Sequence, residues 1–270
     1  MAFIREYRDA DYEATAHIVS HLALTSSLYM PCTTRAACHL AELIHHHTTS
    51  VLLEKQEKKP RRTDLERLLP QCRATLPPSL NTSPSAIRLA PYLWTHQFTL
   101  LSPSTCFILD DGTGRAVGYC IGCPHVPSFA AAASYDRYTT EILDPSPDID
   151  RPADLTVKQL WNRPDGSVNG EFLAQMAYNP RWLLVDDAER LMDEGYLATL
   201  HIDLLEEWQG KGWGRKLIGK LLKSVSGEPG SKGLWIGVAA DNAKVVPFYE
   251  KMGFKVQKNE RMSICLTRDF

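Results

Sequence analysis

The run Gln209-Gly210-Lys211-Gly212-Trp213-Gly214-Arg215 is the part of the sequence best suited to hold a ligand. Its glycines permit positive φ and let a ligand approach the backbone closely. It lies between a β-rich run, Tyr196 to Leu205, and a helical run from about Trp213 to Ser226. The main-chain N–H groups that open such a helix are unpaired and sit at the positive end of its dipole, where a phosphate or diphosphate is favoured. A purely structural strand-to-helix turn has the same composition. Two familiar phosphate loops are absent: Gly210, Gly212 and Gly214 are followed by Lys216 and Leu217, not by a third glycine at the dinucleotide-binding offset, and G-x-x-x-x-G-K-[ST] does not occur.

Other residues could move protons. Asn242 and Tyr249 fall on an expected helix, Asn242 to Met252, where seven residues turn through about 700° and bring both to one face. A phenol there can donate a hydrogen bond or a proton. It can equally be a core aromatic with its hydroxyl at the edge, and Asn242 can equally be a helix cap. On the strand, Leu200, Ile202 and Leu204 alternate with His201 and Asp203, so the two sets face opposite ways. An acid inside Leu-His-Ile-Asp-Leu-Leu needs a partner if buried. Cys120-Ile121-Gly122-Cys123 has C-x-x-C spacing but no second pair, which favours reduced structural thiols over a metal site. His45, His46 and His47 diverge by about 100° each on a helix and cannot share a metal; Cys38 with His39 or His45 is no better a site. No Ser-His-Asp arrangement stands out.

The elements that must position these groups are legible in outline. Phe3 to Tyr7 alternates like a short strand, Arg8-Asp9-Ala10-Asp11 starts a helix, and Tyr12 to Leu24 carries apolar residues at helical spacing. A second helix is expected from Thr33 to Glu57. Lys55 to Arg62 reads as a solvated charged turn or a nuclear address. Residues 76–86 are a loop by composition. Thr105 to Leu109 and Ala116 to Ile121 form a hairpin around Asp110-Asp111-Gly112-Thr113-Gly114. Residues 124–170 lack sustained periodicity, as in a covering or partly disordered connection. Arg181 to Glu194 is helical and ends at Gly195. After the glycine turn and its helix come a strand, Leu234 to Ala239, the helix bearing Tyr249, an extended piece from Gly253 to Val256, and a last strand, Met262 to Thr267. The order indicates an α/β fold with a mixed sheet flanked by helices.

The chain has 270 residues, 44% of them hydrophobic, enough for a sizeable core in one large domain or two small ones. A net charge of −2 with both signs scattered gives no field to steer nucleic acid or an anionic membrane, so neither is an expected partner. No run approaches the roughly 18 apolar residues of a membrane span. The 7 cysteines, odd in number and irregularly spaced, suit reduced thiols, so a cytoplasmic protein is expected.

The run Leu200 to Trp208 leading into Gln209-x-x-Gly212-x-Gly214 resembles the acyl-CoA motif of the GNAT superfamily, [QR]-x-x-G-x-[GA] after a strand. Asp241-Asn242-Ala243-Lys244-Val245-Val246-Pro247-Phe248-Tyr249-Glu250-Lys251-Met252-Gly253-Phe254 resembles that superfamily's second motif, and the likeness spans residues 196–270. Arg88 to Leu93, Phe107-Ile108-Leu109 and Val117-Gly118-Tyr119 narrow it to the acetyltransferase-like C-terminal domain of O-GlcNAcase and its free-standing microbial relatives.

The resemblance implies one GNAT domain over residues 1–270, with 25–85 a helical elaboration, 124–180 an insertion and 196–270 the acyl-CoA-binding core. It implies an N-acetyltransferase that uses acetyl-CoA and passes the acetyl group directly to an amine, a small amine or a protein lysine, in a ternary complex. Residues 209–215 would hold the diphosphate. Main-chain N–H groups of Ile202, Asp203 and Leu204 would polarise the acetyl carbonyl. Tyr249 would serve the thiolate, and Asn242 would contact the cofactor. Aromatic residues of the insertion, Tyr135, Tyr138, Trp161, Tyr178 and Trp182, are expected to wall the acceptor pocket.

The base departs from the pattern. Relatives often place Glu or His at the positions of Ala198 and Leu200, which cannot take a proton. Asp203 is the candidate on the strand, His201 beside it a packed or edge residue, and Glu171, Asp186 or Asp187 could act through water. The alternative is a pseudo-acetyltransferase that only binds acetyl-CoA or serves as a scaffold.

Overall fold

The computed structural model describes residues 1–19, 78–257 and 263–270. All of them belong to one compact unit, Met1–Leu24 with Cys72–Phe270. The helix expected at 33–57, the basic turn at 55–62 and His45 to His47 lie outside the described residues, as does most of the 25–85 elaboration.

The sheet has seven strands in the order β1-β2-β3-β4-β5-β7-β6: β1 Phe3–Glu6, β2 Phe107–Asp110, β3 Ala116–Cys123, β4 Tyr196–Leu204, β5 Gly233–Ala239, β6 Lys255–Val256 and β7 Ser263–Asp269. Every neighbouring pair is antiparallel except β4–β5. The expected hairpin is β2–β3. Its turn is held by Asp110, whose Oδ1 accepts the N–H groups of Gly112 at 2.8 Å and Gly114 at 3.0 Å. β2 and β3 are buried along their whole length, so they read as near-continuous apolar runs.

The N-terminus is tied on by one arginine. Arg5 on β1 grips Asp11 through both terminal nitrogens at 2.6 Å and Asp110 through Nε at 2.9 Å. Asp11 also accepts the N–H of Arg8 at 2.8 Å, capping the turn Asp9–Asp11 that leads into helix α1, Tyr12–Val19. Bidentate charge-assisted bonds are stronger than neutral ones, so this cluster fixes strand, helix start and hairpin together.

Four expectations need correction. Residues 76–86 are not simply a loop: Pro78–Asn81 is a helical turn, and Ser83 caps helix α2, Pro84–Trp94, whose first residue is a proline. Proline suits that position because no N–H is needed there. Helix α3, His96–Leu101, follows α2 directly. Residues 124–170 contain a helical turn at Val126–Phe129, helix α4 at Ala132–Tyr138 and a wider coil at Thr139–Leu143. The irregular remainder is pinned by helix α5, Gly170–Tyr178: the Gln175 amide donates to the carbonyls of Asp154 at 2.8 Å and Val157 at 3.1 Å. The helix expected from Arg181 to Glu194 is two short pieces, Arg181–Val185 and Glu189–Asp193. Tyr135, Tyr138 and Tyr178 are core residues rather than pocket walls. The hydroxyls of Tyr135 and Tyr138 donate to Ala177 O at 3.0 Å and Tyr92 O at 2.7 Å.

Helix α6, Trp213–Val225, crosses β2, β3 and β4. Leu217, Ile218, Leu221, Leu222 and Val225 recur at helical spacing and form its buried stripe. It covers the sheet face bearing Phe107, Cys120 and Ile202: Lys220 Nζ lies 5.0 Å from the centre of the Phe107 ring. The reverse face carries Tyr119, His201 and Asp203.

Candidate active site

β4 and β5 form a fork. They pair at Tyr196↔Gly233, Ala198↔Leu234 and Thr199↔Trp235, and there the pairing stops, although β4 continues to Leu204 and β5 to Ala239. Buried Thr199 marks the branch point, its hydroxyl donating to the carbonyl oxygen of Trp235 at 2.9 Å. On its other edge β4 stays paired with β3 as far as Leu204. The N–H of Leu205 donates to Val117 O on the β3 side at 3.0 Å. Successive N–H groups of a strand point to opposite edges. Those of His201 and Asp203 therefore also face β3, and those of Ile202 and Leu204 face the fork. This corrects the expectation for Asp203: its main chain is committed to the sheet and does not offer an N–H to the fork.

The glycine turn closes the open end. Gly210 and Gly212 have φ of 68° and 80°, and a Cβ added at either meets nothing within 4 Å. Gly212 is the N-cap of α6, and no side chain caps that helix. Lys211, Arg215 and Lys216 are exposed around it. Gln209 is exposed, and its amide donates to Leu204 O at 2.9 Å, tying the turn to the tip of β4. Trp213 is half-buried beneath Lys216, whose Nζ lies 4.1 Å from the ring centre. A Cβ on Gly214 would stand 3.1 Å from Phe248 and 3.9 Å from Ile202, so helix start, fork and the Phe248 ring converge there.

Tyr249 lies on helix α7, Val246–Glu250, edge-on to Phe248 and Phe254 with ring centres 5.1 and 5.4 Å away. Burial first, and then the charges of Asp203 and Cys120, raise its pKa above the usual phenol value, so Tyr249 holds its proton within reach of those groups' fields. Asn242 does not share its helix. Ala240–Val245 is a tighter helical stretch broken at Asn242, with φ −107° and ψ 22°. Pro247 has no N–H with which to continue a helix from it, so α7 starts afresh. The seven-residue, one-face relation between Asn242 and Tyr249 therefore does not hold.

On the reverse face, the Tyr119 hydroxyl donates to Asp203 Oδ2 at 2.8 Å and lies 3.1 Å from His201 Nδ1. The Tyr119 and His201 rings stack, 5.7 Å apart. Tyr119 is fully buried, while the side chains of His201 and Asp203 are 30% and 17% exposed. Although one edge of its ring reaches solvent, burial lowers the pKa of His201 to about 4. Burial, reinforced by the charge of Asp203, raises that of Tyr119. Ala198 and Leu200 are buried apolar residues on the other face. Asp186 is paired with Lys158 at 3.4 Å and Arg181 at 3.0 Å. Glu171 stands exposed at the start of α5, and Asp187 is exposed. Thr199 and Tyr119 are the residues that sequence reasoning missed.

Cys120 and Cys123 are buried in β3, where burial raises both thiol pKa values. Among the described residues, no group of three or more His, Cys, Asp or Glu is placed to hold a metal ion, and no helix is long and apolar enough to cross a membrane.

A mixed sheet with a forked parallel pair and a glycine turn at the fork defines the GNAT fold. Residues 135–254 match the Acetyltransferase (GNAT) family. The solved structure of SsHAT superposes with a TM-score of 0.60 at 23% identity, over 99% of this chain and 98% of that one. More distant matches include yncA from Salmonella typhimurium, solved with acetyl-CoA (TM-score 0.39, 14% identity, 100% of this chain and 94% of that one). Another is an N-acetyltransferase from Kribbella flavida (TM-score 0.37, 13% identity, 100% and 98%). Residues 135–254 thus match a family whose enzymes use acetyl-CoA, and the described residues share its fold. The family match carries the broad likeness and not the narrower one to O-GlcNAcase.

Proposed function

We propose that this chain is an N-acetyltransferase in which the fork between β4 and β5 receives the thioester end of acetyl-CoA and residues 209–215 hold its diphosphate. The observation that carries this reading is the fork itself: the main-chain N–H groups of Ile202 and Leu204 are turned to an edge where β5 no longer pairs. The residues fit the cofactor. Gly210 and Gly212 leave open space at their Cα atoms, the N-terminus of α6 has no side-chain cap, and Lys211 and Arg215 flank it. The Trp235 indole N–H, on β5 where the strands part, is buried without a partner, a donor that a bound acceptor would satisfy.

When bound, acetyl-CoA supplies an acetyl group activated as a thioester. The N–H groups of Ile202 and Leu204 would serve its carbonyl oxygen, and each such preorganised donor contributes roughly 3–4 kcal/mol where charge develops. Tyr249 keeps its proton and would offer it to the departing sulfur. Asp203 is the group we assign to take the proton of the incoming amine. An alkylammonium with a pKa of about 10.4 must lose that proton before attack. Asn242 is retained as a cofactor contact from its break in the backbone.

We read residues 1–270 as a single GNAT domain. The narrower likeness to the O-GlcNAcase domain rests on the motifs at 88–93, 107–109 and 117–119, and it places protein lysine beside small amines in the acceptor panel. A second reading, a binder without turnover, is favoured by buried Ala198 and Leu200 at the usual base positions. One pair of variants separates them. Gly212→Glu should abolish acetyl-CoA binding by calorimetry. Tyr249→Phe should keep that binding while CoA release with amines falls. Wild-type protein that binds acetyl-CoA and acetylates no amine in the panel would leave the binder; Gly212→Glu that still binds would remove both.

A further inference from the structure

Tyr119, His201 and Asp203 hold more information than a base and its neighbours. Tyr119 has one proton. Its hydroxyl lies 2.8 Å from Asp203 Oδ2, and an ionised carboxylate can only accept, so the proton goes there. The Tyr119 oxygen then meets His201 Nδ1 at 3.1 Å with lone pairs alone, so Nδ1 must be the donor. A neutral imidazole carries one N–H, which leaves Nε2 as an acceptor. The opposite tautomer would set two lone pairs against each other at Nδ1, and its Nε2–H would lie 3.8 Å from Asp203 Oδ2, too far for a hydrogen bond. Fully buried Tyr119 thus determines which nitrogen of His201 carries the proton.

We propose that Tyr119 sets His201 as the Nδ1–H tautomer, so that His201 Nε2 and the Asp203 carboxylate together form a two-acceptor seat for a primary amine. The two acceptors are 3.8 Å apart and partly exposed, and one nitrogen at about 2.9 Å can reach both. A primary amine or its ammonium form has an N–H for each. A secondary amine in its neutral form has one and loses a contact. His201 is a specificity residue for the acceptor, and Tyr119 is a positioning residue that acts through it. This deepens the reading of Asp203 as proton acceptor and rests on it.

Two tests keep the failures apart. Nitrogen-15 spectra of His201 in the ligand-free protein report the tautomer without any turnover. The Nδ1–H form is expected, with its population reduced in Tyr119→Phe; an Nε2–H form in the wild type overturns the proposal. Kinetics with N-acetyl-lysine methylamide at saturating acetyl-CoA test the seat. His201→Asn keeps a donor near the Nδ1 position and removes the Nε2 acceptor, whereas His201→Gln places an amide oxygen near Nε2. The amine KM should rise about tenfold in His201→Asn with kcat little altered, the loss of about one hydrogen bond. His201→Gln should recover most of that rise. Equal KM values in wild type and His201→Asn overturn the proposal. Should the protein acetylate no amine, the functional reading fails by itself. Titrating n-butylammonium against the His201 Nε2 resonance then decides the seat, and an unmoved resonance overturns it.

Discussion

The branch point at Thr199 makes a prediction whose first readout needs no cofactor. Thr199→Val keeps shape and β-branching but deletes the hydroxyl that donates to Trp235 O at 2.9 Å. The site is buried, so water does not replace the bond. The Trp235 carbonyl remains within the paired part of the sheet, so the loss is that of one net hydrogen bond, about 0.5–1.5 kcal/mol. For a domain of this size each kcal/mol moves Tm by about 2–4 °C, which gives a fall of roughly 1–6 °C by calorimetry. Thr199→Ser retains the donor and should lose less than Thr199→Val. The functional consequence is larger than the thermal one. If the hydroxyl holds β5 so that the ladder ends there, its loss loosens the edge that presents Ile202 and Leu204, and kcat should fall further than acetyl-CoA affinity. A valine variant with unchanged Tm and unchanged kcat would refute the assignment of Thr199 as the element that sets the fork.

Other outcomes follow from groups already described. Tyr249→Phe should lower kcat by about a hundredfold or more with acetyl-CoA affinity nearly unaltered, as expected for loss of a proton donor, read by CoA release and titration calorimetry. Arg5→Met leaves the buried carboxylates of Asp11 and Asp110 facing each other without their cation and should cost about 3–5 kcal/mol in denaturant unfolding. His201 has a folded pKa of about 4, below its value of about 6.5 in the unfolded chain, so the unfolded state binds the proton first. Its contribution is complete above pH 6.5 and drains away between there and pH 4, on the order of 1–3 kcal/mol; His201→Gln should flatten the stability profile across that window. Gly212→Ala, at φ 80° but with open space around the added methyl, should cost about 1 kcal/mol from backbone strain alone, and urea denaturation would show it.

What the sequence disclosed is what neighbours along the chain determine. The glycine turn, the strand before it and helix α6 all follow from local periodicity and from residues that tolerate positive φ. The hairpin at Asp110 to Gly114 follows from turn chemistry in the same way. The roles of Thr199 and Tyr119 were hidden because each is defined by a partner far away in sequence, Trp235 in one case and Asp203 in the other. A threonine or a tyrosine in a strand signals only a strand. Asp203 was singled out because a charge among apolar residues asks for a partner, but its commitment of main chain to β3 depends on register. The helix at 242–252 was misjudged by reading through Pro247 instead of restarting there. Tyr135 and Tyr138 were misassigned because composition does not distinguish a pocket wall from a core whose hydroxyls meet backbone carbonyls.

A donor pair made of backbone has a consequence for how this protein can change. No side-chain replacement at 202 or 204 deletes those amides, save proline, so random variation there should alter the bore of the opening while the donors we propose for the acetyl carbonyl persist. Drift at Asp203, His201 or Tyr249 has no such safeguard. Under the proposed function, acceptor range and proton handling are free to diverge among descendants of this chain, and the capacity to hold an acyl thioester should be the last property they lose.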